Sequence, residues 1–244
     1  MKESAILQMR NTLFMTCFIN YTEESKALYS DLLHDAHTEA LLPPGLSSPT
    51  SLAPAEYGPW KLTNGNLSIN FGQGRVDIEK KTVAELNNIE GFLSTSITIF
   101  KKIVAKEAQR GTNLSIFRYA FAPVIAYDFN DGETKDSIAS KLFVNNKFKG
   151  AGFDNADLSA VFKVQEKFDG KVLVMNYNYH LGFGEKRQNN NGETPVISDC
   201  AIIELDINTA TDDKMIFNES SIEEFFSTAI SRKNEFVQFI IKGI

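Results

Sequence analysis

Leu13, Met15, Cys17 and Ile19 alternate with Phe14, Thr16, Phe18 and Asn20, a period of two that predicts a strand over Leu13 to Asn20 covered on most of both faces. A short helix is expected from Glu23 to Leu33. The stretch from Leu42 to Pro59 holds five of the seven prolines, and each removes a backbone donor and fixes φ, so it reads as loop. Three short strands follow at Trp60 to Thr63, Leu67 to Phe71 and Arg75 to Glu79, separated by the turn signals Asn64-Gly65 and Gly72-Gln73-Gly74. Thr82-Val83-Ala84-Glu85 has the form of a capping box. The helix it predicts runs to Arg110 with Leu86, Ile89, Leu93, Ile97, Phe100 and Val104 on one face, and Gly111 is its stop.

The second half repeats the order. A strand over Leu114 to Ala126 leads to a loop at Asn130-Asp131-Gly132 and a short helix from Lys135 to Phe143. Strands over Leu158 to Phe168 and Val172 to Phe183 are joined by the hairpin signal Asp169-Gly170. Another strand, Ile197 to Ile207, follows a polar loop over Glu185 to Gly192. Ser220-Ser221-Ile222-Glu223 is a second capping box, opening a helix with Ile222, Phe225, Phe226, Ala229, Ile230, Val237, Ile240 and Ile241 at helical spacing. The expectation is an α+β fold built as a duplicated unit: a largely antiparallel sheet, two long helices packed on one face, and a saddle-like pseudo-twofold. The halves fall at 1–111 and 112–244 and are expected to form one continuous structural unit.

In its order of elements, the strand Ala201-Ile202-Ile203-Glu204-Leu205-Asp206-Ile207 and the closing helix with Phe236-Val237-Gln238-Phe239-Ile240-Ile241, the chain resembles a sporadically distributed family of uncharacterised bacterial proteins. Members of that family end in a Leu-Asp-Ile-Asp strand, a helix and a Phe-x-x-x-Ile segment. Where the family often carries a His in the closing helix, this sequence has Ser231-Arg232-Lys233. The resemblance implies an architecture and a bacterial setting but no chemistry. A more distant similarity, of topology alone, is to the saddle of TATA-binding proteins.

Composition narrows the function. With a net charge of -6 and 23% charged residues the chain is ordinary for a globular protein, and its acidic balance makes nucleic acid an unlikely partner. Cys17 and Cys200 lie inside apolar runs and read as reduced core thiols; the polar N-terminal segment does not resemble a signal peptide, and no apolar run is long enough to span a membrane. Cytoplasmic localisation without membrane contact is therefore expected. No cofactor is expected either: Gly150-Ala151-Gly152 lacks the rest of a dinucleotide fingerprint, and no P-loop or serine elbow is present.

Two constellations bear on metal chemistry. His34 and His37 stand three residues apart, a spacing compatible with sharing a divalent metal, with Asp31, Asp35 and Glu39 nearby; the plainer reading is a solvated helix end. Asp157, Gln165 and Lys167 follow the residue order of a metal-dependent nuclease, though a strand with a polar solvent face yields the same letters. Lys101, Lys102, Lys106 and Arg110 read as the solvated side of a packed helix.

The more informative surface is a sheet face. Leu173, Met175, Tyr177, Tyr179, Leu181 and Phe183 form one apolar side of their strand, which leaves Val172, Val174, Asn176, Asn178 and His180 on the other, and the neighbouring strand offers Ser159, Val161, Lys163, Gln165 and Lys167 likewise. Lys163, Gln165, Asn176, Asn178 and His180 are thus candidate contacts for another protein or for self-association. The leading expectation is a cytosolic binding or protein-interaction protein without intrinsic catalysis, and the alternative is a metal-dependent hydrolase or nuclease.

Overall fold

A polar stretch opens the chain and still forms a strand, β1 (Lys2–Met15), which begins well before Leu13. Its buried apolar side chains are Ile6, Met9, Leu13 and Met15, so their parity switches from even to odd numbers between Ile6 and Met9. An irregularity in pairing between Ile6 and Gln8 accounts for the switch, because one extra residue in a strand resets which face each later side chain takes. Reading the sequence with a single uninterrupted period therefore misses this half of the strand. The computed structural model describes residues 1–16, 19, 22–33, 39–41, 60–64, 66–72, 74–83, 89–142, 158–168, 170–188, 196–210 and 219–242. Cys17 and the proline-rich 42–59 stretch lie outside them.

After β1 come α1 (Glu23–Tyr29) with a following 3-10 turn, β2 (Glu39–Leu41), β3 (Trp60–Asn64), β4 (Leu67–Gly72), β5 (Arg75–Val83) and α2 (Ile89–Gln109). The second half comprises β6 (Ile116–Asp128), α3 (Lys135–Leu142), β7 (Leu158–Phe168), β8 (Lys171–Gln188), β9 (Val196–Thr209) and α4 (Glu219–Lys242). The nine strands among the described residues join one sheet in the order β2-β3-β4-β5-β1-β6-β9-β8-β7, and every neighbouring pair is antiparallel. The fold is α+β. Outward from the central β1–β6 pair, each side continues with its last strand and then the preceding ones in reverse: β1 is flanked by β5, β4 and β3, and β6 by β9, β8 and β7. The sheet runs unbroken across the expected boundary at residues 111 and 112 through that central pair.

The long helices α2 and α4 pack against each other and on the same face of the sheet, α2 over β1 and α4 over β6 and β7. Aromatic rings fill the space between: Phe226 lies 6.3 Å from Phe100, 6.4 Å edge-on to Phe121 and 5.0 Å from Phe225. In α2 the buried stripe is Ile89, Phe92, Leu93, Ser96, Ile99, Phe100, Ile103 and Glu107. Ile97 and Val104, expected on that face, lie at its margin and are only partly buried.

Four boundaries differ from expectation. Thr82 and Val83 end β5 instead of capping a helix, and α2 opens at Ile89. The pairing of β5 with β1 continues to Val83 and wins over the local capping tendency. The helix α4 starts at Glu219, so Ser220 lies inside it, while Ser221 is buried with its hydroxyl 3.1 Å from the Tyr119 phenol. The strand β8 extends through Gln188, because Glu185 to Gln188 pair with Asp199 to Val196 of β9, so the first half of the expected polar loop is strand. The Asp169-Gly170 signal holds: Gly170 has φ 75°, which an L side chain would strain. Cys200 is a buried free thiol in β9.

The expected solvated strip on α2 carries tethers. Lys101 pairs with Glu223 of α4 at 2.5 Å, and Lys106 pairs with Asp31 in the turn after α1 at 3.1 Å. Beneath them the buried Glu107 carboxylate accepts from the Tyr29 phenol, from Thr112 Oγ1 at 2.8 Å and from Arg110 at 3.2 Å. Three donors converge on this carboxylate, which is how a buried charge is tolerated.

Candidate functional site

The alternation seen in β7 and β8 separates the two sheet faces as expected. Leu173, Met175, Tyr177, Tyr179 and Leu181 are buried under the helices, whereas Ser159, Val161, Lys163, Gln165 and Lys167 are exposed on the other side. Cross-strand register extends that second face over the whole sheet. One row runs Lys61, Asn70, Asp77, Thr12, Ala120, Asn208, Asn176, Lys163, from β3 to β7. The long helices α2 and α4 pack on the opposite face.

Its polar groups are held in place by one another. The Asn176 amide donates to Asn208 Oδ1 at 3.0 Å, Asn208 donates to Asp206 at 3.1 Å, and Asn178 donates to the same carboxylate at 3.3 Å. His180 Nδ1 stands 3.9 Å from Glu204. On the other side of the central pair, Thr12 donates to Asp77 at 2.5 Å, Arg75 bonds the same carboxylate at 3.0 Å, and Gln8 donates to Glu79 at 2.8 Å. The Asn176, Asn178, Thr12 and Gln8 bonds cross between neighbouring strands, and the Asn208 and Arg75 bonds run along one strand, so the side chains hold one another in place.

A depression of about 450 Å³ lies in the middle of this face. Ala122 and Val124 of β6 form its floor, Gln8 and Arg10 of β1 stand on one bank, and Glu204, Asp206 and His180 on the other. The cause is side-chain length: in the middle of β6 the open side carries Ala120, Ala122 and Val124, between strands whose open side carries long polar residues. Pro123 deepens the irregularity. It sits in a central strand, and β6–β9 pairing lapses at Ala122 and Pro123 before resuming at Val124, as expected where the ring removes an N–H. The depression has a cation on one bank and carboxylates on the other, so it is suited to a polar or zwitterionic group.

The five residues named from the sequence all reach this face. Asn176, Asn178 and His180 belong to the hydrogen-bonded array, while Lys163 and Gln165 stand at the outer strand. Gln8, Arg10, Ala122, Glu204 and Asp206 were missed. For β6 a signal exists, since Ala120, Ala122, Val124 and Ala126 alternate with Phe121, Pro123 and Ile125; for Gln8 and Arg10 the shifted period of β1 hides it. His34, His37 and Asp157 lie outside the described residues. Lys167 and Gln165 are exposed on the open face. Among the described residues no group of three or more His, Cys, Asp or Glu side chains is placed to hold a metal, and none of the described helices is long and apolar enough to cross a membrane. The chain matches no protein-family model and no curated protein.

Proposed function

We propose that this chain is a binding protein that engages a polar partner through the open face of its sheet and performs no chemistry of its own. The observation that carries this reading is the preorganised polar array spanning β1, β5, β9 and β8 around the central depression. A sheet face that served only as a wet exterior has no need to align its amides and carboxylates across strands; a contact surface gains by it, since fewer rotamers are frozen when the partner arrives. Another protein is the favoured partner, because the face mixes cations, carboxylates and amides without the excess of Lys and Arg that nucleic acid requires. The same reading takes the protein as cytoplasmic and bacterial, as the family resemblance implies, and takes the two halves, with their common element order, as products of an internal duplication.

Affinity capture from the native host tests it, using the wild-type chain beside an Arg10→Ala, Asp206→Asn double variant that melts at the wild-type temperature. A partner held by the first and lost by the second supports the reading. Retention by the variant, or turnover of a nucleotide, peptide or nucleic acid by the purified protein alone, overturns it.

A further inference from the structure

A second surface lies on the helix side, where the sheet ends. The strand β7 is the last of the sheet, and among the described residues nothing pairs with its outer edge, so a line of backbone donors and acceptors from Leu158 to Phe168 faces outward. Beside it the C-terminal half of α4 leaves a groove of about 460 Å³. Tyr179 stacks on Phe236 at 3.9 Å to form its inner wall, and Phe162 and Phe239, 50% and 45% exposed, form its rim. Ala160, between Leu158 and Phe162 on the same side of β7, leaves a notch in the floor.

The groove is closed at one end by an ion-paired cluster. Arg232 of α4 bonds Glu166 of β7 through Nε at 2.9 Å and Nη2 at 2.5 Å, and Glu235 at 2.7 Å, while the Tyr177 phenol donates to Glu166 at 3.1 Å. Glu166 is the one acidic residue of β7 and is consumed internally. The charges left to a neighbour of β7 are Lys163 and Lys167, both exposed on the open side.

An apolar groove alone names no occupant, but the three features together do. A free strand edge recognises an extended polypeptide by its main chain, alternate side chains of an added strand turn to opposite faces of the sheet, and here one face offers an aromatic groove and the other two lysines. We propose that the β7 edge takes up an extended segment of a partner protein as a tenth strand, with apolar side chains seated against Phe162, Phe236 and Phe239 and intervening acidic side chains against Lys163 and Lys167. A second copy of this chain is a poor occupant. Antiparallel pairing of β7 with itself gathers Lys163 and Lys167 of both copies on one face, where like charges repel.

The probe is a short capped peptide alternating Leu and Glu, labelled for fluorescence anisotropy, beside its Leu/Lys counterpart and two versions N-methylated either on every Leu or on every Glu. In an added strand, residues of one parity point their N–H at β7 and those of the other point away. The proposal therefore expects the Leu/Glu peptide to bind, one methylated version to bind as its parent does, and the other to fail. Lys163→Glu with Lys167→Glu, at exposed positions, is expected to weaken the Leu/Glu peptide by about tenfold or more and to favour the Leu/Lys peptide. Phe239→Ser is expected to weaken both peptides. Equal behaviour of the two methylated versions, unchanged preference after charge reversal, or a stable dimer of the protein that excludes the peptide overturns the proposal. The Arg10→Ala, Asp206→Asn variant binds the peptide normally in every case, which separates this edge from the open-face reading.

Discussion

Asn11 is the one described side chain whose amide is fully buried with neither its oxygen nor its nitrogen bonded. It lies on the helix side of β1, between Ile78 of β5 and Phe121 of β6, in the middle of the core. A buried unbonded amide loses its water contacts without compensation, a cost of about 1 to 3 kcal/mol. Asn11→Leu, nearly isosteric, is therefore expected to raise stability by about 1 to 2 kcal/mol in urea melts; destabilisation would mean the amide is satisfied in solution. Phe226→Ala acts the other way, since it removes a ring packed against Phe100, Phe121 and Phe225, and is expected to cost about 3 to 5 kcal/mol. On the open face, sequence reasoning expects Asn176, Asn178 and Lys163 to tolerate alanine. For Lys163 that expectation stands, but Asn176 and Asn178 bond Asn208 and Asp206, so each is expected to cost about 1 kcal/mol in the same melts.

The short helix α1 and its 3-10 turn bury Tyr29 and Leu32 and are tied to the end of α2. Tyr29 packs at a tilt against Trp60 of β3 and Phe71 of β4 and donates to Glu107, while Lys106 reaches Asp31. Glu107→Ala strands the Tyr29 phenol and the Thr112 hydroxyl and leaves Arg110 without its buried partner. It is expected to cost about 3 kcal/mol and to speed hydrogen exchange in α1 before the rest of the molecule. Uniform acceleration across all elements would show that α1 is not held by this carboxylate. By contrast Lys101→Ala removes a pair whose members are both partly exposed, and its effect is expected to stay below about 1 kcal/mol.

Tyr29, Tyr119, Tyr127, Tyr177 and Tyr179 are all buried along the core from α1 to β8, and burial raises the pKa of every one, Tyr179 to about 12. Glu107, Glu3 and Glu166 push Tyr29, Tyr127 and Tyr177 further in the same direction. Since the folded values lie above the ordinary value near 10, stability is untouched below about pH 10 and falls as pH rises, because the unfolded chain ionises and the folded one does not. The fall through the window from about 10 to about 12 for Tyr179 amounts to about 1.4 kcal/mol per pH unit for each such tyrosine. Absorbance near 295 nm should therefore report tyrosinate from these residues together with loss of far-ultraviolet dichroism. The chain has seven tyrosines, so tyrosinate from more than two of them near pH 10 in a chain that keeps its dichroism would refute the burial of these rings.

Local order along the chain was legible where one period held without interruption. In β7 and β8 every second residue is apolar over a long stretch, so both the strands and their two faces could be read directly, and Gly170 marked the hairpin because only glycine enters that φ cheaply. The sites of Lys163, Asn176, Asn178 and His180 followed from that period alone. What no single strand states is which strands lie side by side. Arg10 and Asp206 are far apart in sequence and face each other across Ala122 only because β1, β6 and β9 are neighbours in the sheet. Likewise the carboxylate of Glu107 reads as solvated on its helix until α1 folds over it, and that Phe239 lies 45% exposed where the sheet ends at β7 follows from no pattern along its helix. Periodicity records the environment of a residue along its own element, whereas depressions, buried charges and open edges are properties of what lies beside that element, and only tertiary packing sets them.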